Sequence, residues 1–178
     1  ASSESVNAGL EVMAMARRPI ALFGSNSMRM RDPGLLLSFI EHHGLPFCTT
    51  TMAKGMIDED HPLSIGCIER GKRQLQRSFL HSSDLIVGVG YDTIEVEYEA
   101  WIGDTPLLQI DIEKADVSAS VDVKGEVIGD LDNSLEQMVE MDPTSTIWGQ
   151  DEIEGHRAKF HASLRPSATT FTPHEAID

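Results

Sequence analysis

Cations, cysteines and long apolar stretches are what this 178-residue sequence is short of. Fourteen Lys and Arg stand against 29 Asp and Glu, giving a formal net charge of -15 and a pI near 4.7. Such a field repels phosphate backbones and anionic lipid, because a protein of the same sign releases no counterions from them. Neither nucleic acid nor membrane is therefore an expected partner. Two cysteines, Cys48 and Cys67, make no disulfide framework, and Cys48 lies in an apolar run where a thiol acts as a small core hydrophobe. The seven histidines (His42, His43, His61, His81, His156, His161 and His174) lack metal-ligand spacing with the cysteines, so no metal is assigned. The adjacent His42 and His43 read as capping decoration at a helix end. No apolar run reaches the roughly 18 residues that span a bilayer, and Ala1 to Glu4 lack the basic region of a secretion signal. A cytoplasmic location is the expectation.

What is present suits one ordinary domain. A chain of this length buries roughly two thirds of its unfolded surface, and an apolar content of 40% supports a single core. Val6, Leu10, Met13 and Ala14 follow helical spacing, with Arg17 and Arg18 placed to favour the negative end of the helix dipole. Ile20 to Phe23 reads as a strand buried on both faces. Asp32 followed by Pro33 predicts a helix start, Leu36, Phe39 and Ile40 its apolar face, and Gly44 its left-handed close. Phe47 to Thr51 is the next strand. His61 to Gly71 reads as irregular, before a helix through Leu75 and Phe79 that ends near His81. Strands at Leu85 to Val89, Leu107 to Ile112 and Glu126 to Ile128 follow, and Leu131, Leu135, Met138 and Val139 stripe a closing helix. The alternation predicts an α/β fold: a three-layer, open parallel sheet of five or six strands with helices on both faces, Rossmann-like. Residues 1–142 form the domain. From Pro143 the pattern weakens through Trp148 and a helix over Asp151 to Leu164 into a linker.

In an open parallel sheet, ligands bind beyond the carboxyl ends of the strands where the strand order reverses. Three loops there have suitable chemistry: Gly24, Ser25 and Asn26, then Gly90, Tyr91 and Asp92, then Asp111 with Ile112, to which Asp130 is added after the last strand. Small residues permit close backbone approach, and a carboxylate such as Asp111 can accept hydrogen bonds from a ribose. Gly88-Val89-Gly90 lacks the third glycine of the dinucleotide fingerprint, so these glycines equally suit plain tight turns. His81, Ser82 and Ser83 are mere sequence neighbours, not an oriented catalytic set, and read as a helix end and turn. Glu95, Glu97 and Glu99 alternate with Ile94, Val96 and Tyr98, as on a solvated edge. Lys54 reads as a loop lysine. No residue carries a catalytic assignment.

The motifs Arg18-Pro19-Ile20-Ala21-Leu22-Phe23-Gly24, His43-Gly44-Leu45-Pro46-Phe47 with Thr49-Thr50, Lys54-Gly55, His61-Pro62 and Gly66 resemble, in order and spacing, the central domain of thiamine-diphosphate-dependent enzymes. The match continues through Ser83-Asp84-Leu85-Ile86, Gln109-Ile110-Asp111-Ile112 and Val127-Ile128-Gly129-Asp130. Gly90-Tyr91-Asp92 with Glu97-Tyr98 and Trp101 looks like the flavin-independent acetolactate synthases. Flavin-carrying relatives usually have an arginine after that glycine and a second glycine soon after Gly66, where this chain has Tyr91 and Cys67-Ile68-Glu69-Arg70. Phe171-Thr172-Pro173-His174 is similar to the opening of the family's diphosphate-binding domain.

The resemblance implies a non-catalytic central domain of a parent enzyme that decarboxylates a 2-keto acid and joins the remaining unit to an acceptor. It further implies thiamine diphosphate and magnesium in that parent, an N-terminal pyrimidine domain and a C-terminal diphosphate-binding domain as partners, and a homo-oligomer. Gly103-Asp104-Thr105 and Gly129-Asp130-Leu131 both miss the Gly-Asp-Gly that opens the family's magnesium motif. The alternative reading is a module that binds an adenine nucleotide (FAD, ADP or coenzyme A) at the three loops. A third is an independent NAD-dependent enzyme, for which His61 is the candidate near a strand end.

Overall fold

The structure, a computed structural model, describes residues 1–68, 73–92 and 103–164. The strands are β1 (Pro19–Phe23), β2 (Phe47–Thr50), β3 (Ser64–Ile68), β4 (Leu85–Val89), β5 (Leu107–Asp111) and β6 (Val123–Ile128). The helices are α1 (Ser3–Met15), α2 (Gly34–His43), α3 (Arg73–Leu80), α4 (Leu131–Glu140) and α5 (Gln150–Leu164). All strands pair in parallel, in the order β3-β2-β1-β4-β5-β6. The chain starts in the middle, winds outward to one edge, then crosses back and winds to the other. This is the doubly wound arrangement expected from the alternation of strands and helices.

Alternate side chains of each buried strand serve two cores, because a pleated strand points successive residues to opposite faces. Ala21 and Phe23 of β1, Leu85, Val87 and Val89 of β4, and Leu108 and Ile110 of β5 face a core shared with α1, α2 and α4. Ile20, Leu22, Ile86 and Leu107 face a second core with Phe79 and Leu80 of α3 and Ile153 of α5. Helices cover both faces, which is why the central strands read as unbroken apolar runs. Gly9 has a packing reason for standing inside α1: a Cβ there would lie 2.6 Å from Val127 Cγ2, so its absence lets the helix settle on β6. Gly44 closes α2 at φ 64°, and its amide reaches back to the α2 carbonyls, as its position predicts.

The structure departs from the sequence reading in several places. His61 to Gly71 is not wholly irregular, because Ser64–Ile68 forms the edge strand β3. Gly66 at φ 89° and a register shift opposite Phe47 and Thr49 break its periodicity, which hid the strand. Helix α2 begins at Gly34, with Pro33 in the cap position; Asp32 instead accepts the Gly34 amide in a two-residue turn (3.0 Å). Arg17 and Arg18 fall beyond α1, and their amides donate to the two oxygens of Asp84 (2.8 Å each). His43, read as capping decoration, is 1% exposed and accepts the Thr144 amide at Nδ1 (3.1 Å). Strand β6 starts three residues before Glu126. After Pro143 the chain does not leave the body at once, since Trp148 stacks on Phe79 and α5 packs beside β3. The alternation at Glu95, Glu97 and Glu99, Trp101, and the segment from Arg165 onward lie outside the described residues.

Candidate functional site

The strand order reverses between β1 and β4, so the crevice rule directs attention to the loops leaving these strands. The structure brings the three predicted loops together. After β1 the chain enters a 3-10 turn, Ser25–Arg29, in which the Ser27 hydroxyl donates to the Gly24 carbonyl (2.6 Å). The Gly24 amide donates to the Val89 carbonyl (3.1 Å), the Asn26 amide to the Gly90 carbonyl (2.9 Å), and the Gly90 amide to the Ile110 carbonyl (2.9 Å). Gly90 adopts φ 58°, and a Cβ there would collide with the Ser27 amide and sit 3.0 Å from the Asn26 carbonyl carbon. Only glycine allows these two turns to touch.

Side chains complete the closure. Asp111 is 2% exposed and accepts from Asn26 Nδ2 (3.2 Å), Gln109 Nε2 (3.0 Å) and the Ile112 amide (2.6 Å). Burial pushes its carboxyl above the usual carboxylate value and nearby Asp92 adds to this, against the pull of the Ile112, Asn26 and Gln109 donors. Gln109 also donates to the Tyr91 carbonyl (3.0 Å), and the Tyr91 ring is buried in the second core. Gly88 leaves the room for this, since a Cβ there would lie 2.9 Å from Gln109 Oε1. Ser25, Asn26 and Asp92 are half-buried, and Ile112 is exposed at the rim.

Asp130 stands apart from this group. It caps α4, accepting the Asn133 amide (2.9 Å), and pairs with Arg31 (3.1 Å). Its neighbour Asp132 is 6% exposed and accepts the Asp32 amide (2.7 Å) and the Arg31 amide (3.2 Å), tying the loop after β1 to the start of α4. Burial works against the Asp132 charge, but those two amides and the Arg31 guanidinium outweigh it and hold the carboxyl below its ordinary value. The sequence reading missed Gln109, Ser27 and Asp132. A glutamine inside the apolar run Leu107 to Ile112 was the available signal for the first.

The remaining candidates are occupied elsewhere. His61 accepts the Leu63 amide at Nδ1 (3.2 Å) and meets Glu41 through Nε2 (3.3 Å). Ser82 and Ser83 donate to the Phe79 and Leu80 carbonyls, as expected of a helix end. Lys54 pairs with Glu59 (2.9 Å). Among the described residues no three His, Cys, Asp or Glu side chains gather as a metal site. No described helix is long and apolar enough to cross a membrane. A cleft of about 410 Å³ runs along the outer edge of β3, between Lys54 and Arg157.

Comparison with known proteins agrees with this architecture. Residues 6–138 match the family model described as "Thiamine pyrophosphate enzyme, central domain". A "Probable acetolactate synthase large subunit" of Methanococcus aeolicus is 28% identical over 137 residues, covering 75% of this chain and 23% of that protein. The oxalyl-CoA decarboxylase of Escherichia coli K12 is 29% identical over 140 residues, covering 76% of this chain and 23% of the enzyme. The chain thus spans about a quarter of the length of these curated relatives. A solved structure from Mycobacterium smegmatis, described as a thiamin diphosphate-dependent enzyme, superposes with a TM-score of 0.66 at 23% identity. It covers 81% of this chain and 28% of that one, and it supports the fold. With the family model spanning most of its length, the chain belongs to the central domains of thiamine pyrophosphate enzymes, related to acetolactate synthase and oxalyl-CoA decarboxylase.

Proposed function

We propose that this chain is the non-catalytic central domain of a thiamine-diphosphate-dependent 2-keto acid decarboxylase or carboligase of the acetolactate synthase type. Residues 1–142 form the domain, and 143–178 lead toward a diphosphate-binding domain. An N-terminal pyrimidine domain and that C-terminal domain are its partners within one cytoplasmic, homo-oligomeric parent. Thiamine diphosphate and magnesium in the parent supply the decarboxylation chemistry, and this chain's residues do not fit them. Neither Gly103-Asp104-Thr105 nor Gly129-Asp130-Leu131 continues as Gly-Asp-Gly, and no described carboxylate set gathers for a cation. The domain's part is to brace its neighbours.

The observation that carries a bracing role is the closure of the switch point. Asn26 Nδ2, Gln109 Nε2 and the Ile112 amide already donate to the Asp111 carboxylate, so a ribose seeking it has three internal donors to displace. A thermal-shift titration with FAD, ADP, NAD and coenzyme A tests this, and no stabilisation is expected. A ligand binding only the folded state raises stability by about 2.7 kcal/mol at a hundred times its Kd. A rise of that order with an adenine nucleotide, abolished by Asp111→Ala, would replace the bracing role with nucleotide binding at Gly24, Ser25, Asn26, Gly90, Tyr91, Asp92, Asp111, Ile112 and Asp130.

A further inference from the structure

Residues 143–149 turn back beneath the sheet after α4 as a strap. The Thr144 amide donates to His43 Nδ1 (3.1 Å), Thr146 Oγ1 to the Gly44 carbonyl (3.3 Å), and the Ile147 amide to the Arg17 carbonyl (2.9 Å). Trp148 Nε1 donates to the Pro19 carbonyl (2.8 Å), and its indole lies between Phe79, stacked at 5.1 Å, and the Arg18 guanidinium at 3.8 Å. Arg18 also pairs with Glu152 at the start of α5.

Helix α5 itself contributes little apolar grip. Of its 15 residues Ile153 and His156 are the buried ones, and Gly155 stands in its middle with open space around it. Mid-helix glycine weakens a helix that must hold its own shape. The second fastening is polar. His156 Nε2 meets Gln76 Oε1 (2.6 Å), and Gln76 Nε2 donates to the Ile65 (2.7 Å) and Cys67 (3.3 Å) carbonyls of β3. A buried imidazole therefore sits at each fastening.

We propose that residues 143–164 are a latch that undocks from the sheet as one unit, and that protonation of His43 opens it. His43 Nδ1 works as an acceptor, so a proton there sets two N–H groups face to face at Thr144. The titratable neighbour of His43 on α2 is His42; α4 offers the Met138 carbonyl and the strap the Thr144 amide and hydroxyl. Around His156 the charged groups are Lys159 on its own helix and, lining the same cleft, Asp151 and Glu152, with the Ile65 carbonyl from β3 and Gln76 from α3. Burial and His42 hold His43 down from 6.5 to about 4, and burial and Lys159 lower His156. His43 is neutral in the docked form and takes up a proton on release, when its Nδ1 no longer faces the Thr144 amide. The docked form is fully favoured above pH 6.5 and loses ground as pH falls toward about 4.

The test follows Trp148 fluorescence in a Trp101→Phe background from pH 7.5 to 4, beside far-UV circular dichroism and site-resolved hydrogen exchange. The expected result is a red shift of Trp148 and at least about tenfold faster Ile147 exchange, corrected for intrinsic pH dependence. Ile20 and Val87 should stay protected and the dichroism unchanged. His43→Gln, which keeps an acceptor but does not titrate, moves the opening to lower pH. The proposal is overturned if Trp148 and the dichroism change in one coincident transition, if Trp148 does not respond, or if His43→Gln opens at the parent's pH.

Discussion

Gly90→Val is expected to destabilise the fold by about 3–5 kcal/mol, the sum of a strained left-handed backbone and a side chain forced into a packed turn. The backbone contribution follows from φ 58°, and the steric one from the Ser27 and Asn26 backbone that a Cβ would meet. Backbone is a poor yielder, unlike the far end of a flexible side chain. Gly55→Ala separates the two contributions, because Gly55 also has positive φ (88°) but nothing within 4 Å of its Cβ position. That variant should lose about 1–2 kcal/mol. Urea unfolding of both variants measures the difference, and equal losses would show that the turn after β1 does not press on Gly90.

Asp132→Ala is expected to cost about 2–4 kcal/mol at neutral pH, because it strips acceptors from two amides held by a charge-assisted bond. Those amides belong to Arg31 and Asp32, so the loop between β1 and α2 should loosen first. The effect carries a pH signature. A carboxyl held below its ordinary value of 3.8 contributes stability above that value and loses it as pH falls through the folded value. The gap between parent and variant should therefore be full at pH 7 and shrink on strong acidification. A gap that stays constant to the acid limit would mean that packing, not the charge, is what Asp132 supplies.

Much of the fold was legible because the central strands are buried on both faces and cannot afford polar interruption. Ile20 to Phe23 and Leu85 to Val89 show their strand character without help from neighbours. The edge strand β3 was not legible, since Ser64-Ile65-Gly66-Cys67-Ile68 carries a kinked glycine and needs pairing against β2 to be extended. At the switch point, the loops could be placed from strand ends alone, but not their state. Whether Asn26 and Asp111 face a ligand or each other depends on Gln109, Tyr91 and Gly88, whose roles arise from tertiary placement. The same holds for His43. Its position at a helix end suggested capping, and Phe39 at 5.1 Å, Met138 and Thr144 enclose it instead.

Helix α1 precedes every strand, yet it rests on β6, β5 and α4, with Ser3 bonded to Gln137 (2.9 Å) and Gly9 facing Val127. During vectorial synthesis its partners emerge roughly a hundred residues later, about 5–20 s at ribosomal speed. Until then Val6 and Met13 lack the β6 and α4 residues, Val127, Leu131, Leu135 and Met138, that share their core. Such long-range closure raises contact order and slows the final folding step. A nascent chain halted before Val123 should thus leave the β6-facing side of α1 without its partner, a handle for chaperones that vanishes once β6 arrives.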